Sequence, residues 1–434
     1  MKFKMKSVCA ALALAASSTA AYADNLMQIY QQALTNDPVV LQAKAQRDSM
    51  YAKIDETRAG LLPSISGSVG YNKNWGNSSD YTSKGGTAGI RLTQSLYDHK
   101  VWIGLDVAEK AASQADSGYA GALQQLMIRV TSAYFDVLSA KDNYEFKKAE
   151  KRAIKRQLEQ TQQRFNVGLT AITDVHEAQA QFDLASASEI LAQNTLENSY
   201  EALREITGID HLNIDDLDTK RFSAQIPAPT SSKEWLTIAE NSSVQLTSDR
   251  LAKDIAKENI SATEAGHMPT LTLNGGYNKG FSADDTPLGN NEAKQVGITL
   301  SVPIFQGFAV TSQVKQAQYS YVQASQKLEQ THRAVVKNVR NNFNNVKASI
   351  SSIKAYEQSV VSSESALKAT QAGFEVGTRT IVDVLNRTRD LYDSKRQLSD
   401  ARYGYIKSIM ALKQAAGTLS EDDIMSINNG LVKK

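Results

Sequence analysis

The sequence predicts an α+β membrane protein built as an internal tandem repeat, each half carrying very long helices and one β-hairpin. Three observations predict it. Matched segments recur in the same order about 208 residues apart. Long stretches rich in Ala, Gln, Glu, Lys, Arg and Leu are almost free of proline and glycine. Two shorter segments alternate polar and apolar residues over roughly ten residues, the length of a membrane-spanning β-strand.

The repeat is explicit. Arg164-Phe-Asn-Val-Gly168-Leu-Thr-Ala-Ile172-Thr-Asp174-Val175 returns as Gly373-Phe-Glu-Val-Gly377-Thr-Arg-Thr-Ile381-Val-Asp383-Val384. Leu62-Pro63 through Tyr71-Asn-Lys73 returns as Met268-Pro269 through Tyr277-Asn-Lys279. Arg91-Leu-Thr-Gln-Ser-Leu-Tyr97 is echoed by Thr299-Leu-Ser-Val-Pro-Ile-Phe305. The expected organisation is a leader over 1–23, a first repeat over 24–222, a linker at 223–230, a second repeat over 231–419 and a C-terminal segment over 420–434.

The leader has Lys2, Lys4 and Lys6 as its basic region, an apolar stretch from Val8 to Ala16, and Ala21-Tyr22-Ala23 as a small-x-small cleavage site. The mature chain is expected to begin at Asp24. The single cysteine, Cys9, leaves with the leader, which removes disulfides and thiolate metal sites from consideration. An exported chain without disulfides fits a bacterial envelope protein. Loss of three lysines takes the 48 basic residues to 45 against 46 acids, near neutrality, which argues against nucleic-acid binding.

Each repeat then reads as short helix, helix, hairpin, very long helix, turn, long helix. Helical patterns cover Met27–Thr35 and Val39–Arg58, then 100–166 and 170–207. Ile209 to Ser232, with Pro227 and Pro229, is a loop-like connection. Leu236–Asn241 and Val244–Ala265 restart the pattern, followed by 307–373 and 379–416. In 307–373 an apolar seam runs through Val310, Val314, Ala317, Tyr321, Ala324, Leu328, Thr331 and Val335 at spacings of four and three. It steps by an extra four to Val339 and continues through Phe343, Val346, Ile350 and Ile353, a stutter that locally unwinds a coiled coil. At 1.5 Å per residue this helix is about 100 Å long, so the helices must lie side by side in an elongated bundle or tube.

The hairpins occupy 62–97 and 269–306. Ile65, Gly67, Val69 and Tyr71 alternate with serines and Gly70; Leu271, Leu273, Gly275 and Tyr277 alternate with Thr270, Thr272, Asn274 and Gly276. Most charge is expected in the loops between paired strands. A soluble sheet with one wet face shows the same alternation, but neither hairpin has an apolar segment nearby to cover it. No stretch of 18 apolar residues remains in the mature chain, so only a closed barrel could cross a bilayer. Four strands cannot close one; several copies must share it. Pro63 and Pro269 stand where helical sequence gives way to strand, as their fixed φ and missing N–H suit.

The segments Asp24 to Ala33, Gln160 to Gly168, Ala171 to Val175, Ser312 to Tyr319 and Val376 to Leu385 closely resemble the TolC family of outer-membrane efflux and secretion channels. The resemblance spans essentially the whole mature chain. It implies a homotrimer with a twelve-stranded barrel in the outer membrane, four strands per chain, continuous with a helical barrel through the periplasm. A mixed α/β equatorial region would come from 208–242 and the C-terminal end. It implies partners as well: a periplasmic adaptor (membrane fusion) protein and an inner-membrane RND, ABC or MFS transporter, exporting drugs, detergents or protein toxins. Val167, Gly168, Leu169 and Thr170, with Val376, Gly377 and Thr378, become periplasmic tips that an adaptor touches.

Gly168 and Gly377 read from the residues alone as glycines that end one helix before the next begins. Thr380 to Asp383 reads as a capping box. By resemblance, Asp383 also lines a closed tunnel entrance, where three copies make an acidic ring. The resemblance further implies a gate latch of Gln157, Thr173, Asp174, Phe374 and Arg379, in which Arg379 pairs with Thr173 and Asp174 and Gln157 joins the same network. Three departures stand out: Phe374 where the best-known member has a tyrosine, Asn386 in place of a second ring acid, and Gln371 in place of a glutamate.

No cofactor or metal is expected. There is no nucleophile elbow, phosphate-binding loop or His-Glu-x-x-His motif. The five histidines are scattered without ligand spacing, which suits packing or surface roles. Tyr71, Trp75, Tyr97 and Trp102 could serve as an interfacial aromatic girdle; ordinary packing accounts for them equally well. The rival reading is a non-conducting envelope scaffold or coiled-coil adaptor, which would share the leader and helices but has no need of matched hairpins.

Overall fold

The structure, a computed structural model, describes residues 24–75, 82–211, 213–282 and 291–432. The leader with Cys9 and the inter-strand loops 76–81 and 283–290 fall outside the described residues, as does the side chain of Trp75. In chain order the elements are α1 (Leu26–Asn36), α2 (Pro38–Ala59), β1 (Ser64–Trp75), β2 (Thr82–Tyr97), α3 (His99–Asn166) and α4 (Ile172–Thr207). They continue with β3 (Asp216–Leu217), α5 (Ser232–Ser242), α6 (Val244–Glu264), β4 (Thr270–Ser282), β5 (Glu292–Ser301), α7 (Ala309–Glu375), α8 (Ile381–Ala416), α9 (Glu421–Asn428) and β6 (Leu431–Val432). Strands begin directly after Pro63 and Pro269.

Two compact units make up the chain: one runs to Leu41, through Leu123–Asn241 and from Val336 onward; the other comprises Gln42–Ala122 and Ser242–Val335.

The second unit holds the four-stranded sheet, antiparallel throughout, in the order β1-β2-β4-β5. Register sorts its two faces. Ile65 pairs with Leu92, Gly67 with Ile90 and Val69 with Ala88; Ile90 pairs in turn with Tyr277, and Leu273 with Ile298. Directly paired residues share a face, so one face collects nearly all the apolar side chains. The other carries Ser64, Ser66, Ser68, Thr87, Arg91, Thr93, Asn274 and Thr299. Val69 and Val296 are 84% and 85% exposed, so the apolar face is bare in a single chain. The strands are longer than ten residues in three cases, β2 reaching 16. Lys73, Lys84, Lys279, Glu292 and Lys294 therefore lie on strand ends rather than in loops, a correction to the expected placement of charge. Cross-strand pairing of Lys279 with Glu292 at 3.2 Å is one reason the ladder extends so far. In the same unit Lys110 of α3 bridges Asp106 and Glu258, the latter at 2.9 Å.

The α7 seam is as the spacing predicts. Val310, Thr331, Val335, Val339, Phe343, Val346 and Ile353 are buried, and Val314, Ala317, Tyr321, Ala324, Leu328 and Ile350 half-buried, on both sides of the stutter.

In the core of the first unit Tyr134 stacks edge-on against Phe135 at 5.6 Å, and the tilted rings of Phe135 and Tyr403 lie 5.5 Å apart. The Tyr134 hydroxyl donates to the Asp215 carbonyl at 2.7 Å, beside the short β3–β6 ladder. His211 is buried, its ring nitrogens 2.8 Å from the Asp24 carboxylate and 3.0 Å from the Thr207 hydroxyl, a packing role that ties down the first described residue.

Asp37, 1% exposed, joins α1 to α2. Its carboxylate accepts two bonds from Arg129, each 2.8 Å, and one from the Val40 amide at 2.9 Å. Burial works to raise its pKa, but the Arg129 fork and the amides outweigh it and hold the carboxyl below its usual range. Arg129→Met leaves the carboxylate buried without its cation and is expected to cost about 3 kcal/mol at neutral pH. A group with a depressed folded pKa stabilises above its unfolded value and loses that contribution as pH falls through the folded one. The gap between variant and wild-type melting temperatures should therefore narrow in acid. An equal gap at pH 7 and in strong acid would contradict this account.

Candidate functional site

The matched turns of the two repeats carry the predicted site residues, and both turns are built alike. After α3, the Gly168 amide donates to the Phe165 carbonyl at 2.9 Å and the Leu169 amide to the Arg164 carbonyl at 2.8 Å. After α7, the Gly377 amide donates to the Phe374 carbonyl at 3.2 Å and the Thr378 amide to the Gly373 carbonyl at 2.8 Å. This is the Schellman pattern, which needs a left-handed residue at its hinge. Gly168 and Gly377 supply it with φ of 75° and 79°. Val167, Leu169 and Val376 stand exposed at the turns, each about 70% open to solvent.

The following helices begin differently. Thr380 caps α8 through a full capping box: its hydroxyl accepts from the Asp383 amide at 3.2 Å, and the Asp383 carboxylate accepts from the Thr380 amide at 3.0 Å. Ala171 gives α4 no side-chain cap, and Thr170 donates its hydroxyl to the Asp174 carboxylate instead. The Asp383 carboxyl is held below its usual pKa, first by the Thr380 amide, then by the Thr380 hydroxyl, Arg379 and Arg387. Asn386, one turn on, accepts from Arg389 at 3.4 Å.

Within one chain the latch residues are not all brought together. Asp174 bonds Thr170, and Thr173 is exposed. The stem of Arg379 folds back over Gly373, where a Cβ would sit 2.7 Å from the Arg379 Cγ. Gln157 lies further up α3, its amide nitrogen buried and without a hydrogen-bond partner. Gln157, Gln160, Arg164, Gln371 and Phe374 line a groove of about 570 Å³. Two residues here escaped the reading of the sequence as site residues, Arg164 and Gly373. A signal for both existed, because they occupy the same place in the two repeats and differ.

A family model described as "Outer membrane efflux protein" matches the chain twice, over residues 29–209 and 235–418. The chain is 50% identical over 423 residues to the outer membrane protein TolC of Vibrio cholerae, covering 96% of each. It is 29% identical over 417 residues to the alkaline protease secretion protein AprF of Pseudomonas aeruginosa, covering 93% of this chain and 86% of that one. Among solved structures it superposes on the CmeC outer membrane channel of Campylobacter jejuni with a TM-score of 0.79 at 16% identity, covering 94% and 90% of the two chains. That last likeness concerns the fold alone.

Proposed function

The chain belongs to the outer membrane efflux protein family, and on that premise we propose how it works. It is an outer-membrane protein with a large periplasmic part, the exit duct for efflux and type I secretion. The sheet supports this reading above all: one bare apolar face for lipid, one polar face for a lumen, and edge strands β1 and β5 with no strand outside them among the described residues. Three copies would join these edges into twelve strands. The repeats 24–222 and 231–419 then form a pseudo-sixfold wall, with Tyr71, Tyr97 and Trp102, all exposed, available at the membrane boundary.

The paired tips are the periplasmic gate. Arg379 reaches Thr173 and Asp174 across a boundary between neighbouring copies, which is why these residues are apart within one. Val167 to Thr170 and Val376 to Thr378 receive the adaptor, and Asp383 with Asn386 rings the constriction. The chain provides a path rather than catalysis. Energy comes from an inner-membrane RND, ABC or MFS transporter, and drugs, detergents or protein toxins pass through.

Membrane extraction tests the assembly. The mature protein should leave membranes only with detergent, run as a heat-resistant trimer, and give discrete conductance steps in a planar bilayer. A detergent-soluble trimer that gives no steps would establish a scaffold instead.

A further inference from the structure

The Arg164 guanidinium lies over the Phe374 ring, its carbon 4.8 Å from the centroid. Its Nε is buried and meets no acceptor, and among the described residues Arg164 forms no ion pair. A half-buried cation without a carboxylate gains from another source of negative potential. Two are at hand: the face of the aromatic ring, and the carbonyl end of α3, in whose last turn Arg164 stands. Phe374 is itself fixed. It packs against the cluster of Ile154, Ala178, Ala185, Ile381 and Leu385.

The contact joins the two repeats, because Arg164 closes α3 and Phe374 closes α7. It has no counterpart under the internal symmetry. At the place of Arg164 the second repeat has Gly373, and the space above that glycine is taken by the stem of Arg379. Divergence has thus given each chain two tip arginines at non-equivalent positions, one stacked internally and one with no ion pair within 4.0 Å among the described residues.

We propose that the Arg164–Phe374 stack is a second, intra-chain latch of the tip gate, holding the two hairpins of each chain together in the closed state. It rests on the gate reading above and deepens it. Phe374 needs no hydroxyl for this role, since the ring face is what the guanidinium uses. Arg164 acts as a positioning residue: it touches no transported molecule but sets where the second hairpin sits relative to the first. Swinging the hairpins apart removes the ring from beneath the cation, and an unstacked Arg164 must find water.

Single-channel recording of the full mature protein in planar bilayers tests it, with Arg379→Ser as the reference. Arg164→Gln and Phe374→Leu should each raise the open-to-closed ratio about tenfold. The double variant should open no further than either single one, because both remove the same contact. Phe374→Trp, which keeps a ring face, should stay as closed as the wild type; a loss of packing alone would not be rescued this way. If Arg379→Ser opens the channel while Arg164→Gln and Phe374→Leu leave it closed, or if the double variant adds the two effects, the stack is no latch. If no variant changes conductance, Arg379→Ser included, the tip gate itself is refuted.

Discussion

Arg379→Ser is expected to convert a mostly closed channel into a mostly open one. The guanidinium of Arg379 has no carboxylate partner within ion-pair distance in its own chain among the described residues, yet its stem is held over Gly373 by contact. An exposed side chain whose stem lies beside Gly373 and whose head has no carboxylate in ion-pair distance is placed to bond something outside the chain. A charge-assisted hydrogen bond contributes about 1.5 kcal/mol or more, and three copies act together in a trimer. Their loss shifts the open-to-closed ratio by on the order of 10³. Gly373→Ala tests the same device from its base. The added Cβ would stand 2.7 Å from the Arg379 Cγ and 3.2 Å from the Thr378 hydroxyl, so the stem must move. That variant should open the channel in part while leaving the arginine present. Both are read as mean conductance and open fraction in planar bilayers. A Gly373→Ala channel as closed as wild type would mean that the stem's position is irrelevant to the latch.

Where the sequence speaks in a local period, it reads through to the structure. The α7 seam, its stutter at Val335 to Val339, the glycine hinges and the Thr380–Asp383 capping box all depend on residues within one or two turns of one another. Strand identity was equally legible, whereas strand length was not, because pairing with a partner strand decides where a ladder ends. Contacts over long separations left no trace in any pattern. Asp37 with Arg129, Asp24 with His211 and β3 with β6 are set by how helices pack in three dimensions. Arg164 on Phe374 belongs with these, although comparison of the two repeats marks its position as one where they differ.

Asn386→Asp should strengthen block by multivalent cations about tenfold, and Asp383→Asn should abolish most of it. The reasoning starts from the capping box. The carboxyl of Asp383 is bonded by the Thr380 amide and hydroxyl and faces Arg379 and Arg387, so it stays ionised below the ordinary carboxylate range. In the proposed trimer three such groups would make an acidic ring, each carboxylate supported by its own capping box. Position 386 is one turn further along the same helix, and its amide adds no charge. A carboxylate there doubles the ring, but Arg389, now 3.4 Å from the Asn386 oxygen, would neutralise part of the gain. Block should accordingly be weaker in the wild type than in Asn386→Asp, and both should decline as the solution is made strongly acid. In the wild type the bonds from Thr380 keep the charge to lower pH, while repulsion among the three carboxylates works the other way. Titrating a trivalent cation into single channels from the periplasmic side, at several pH values, measures all of this at once. Block of equal strength in Asp383→Asn and wild type would place the cation site elsewhere in the duct.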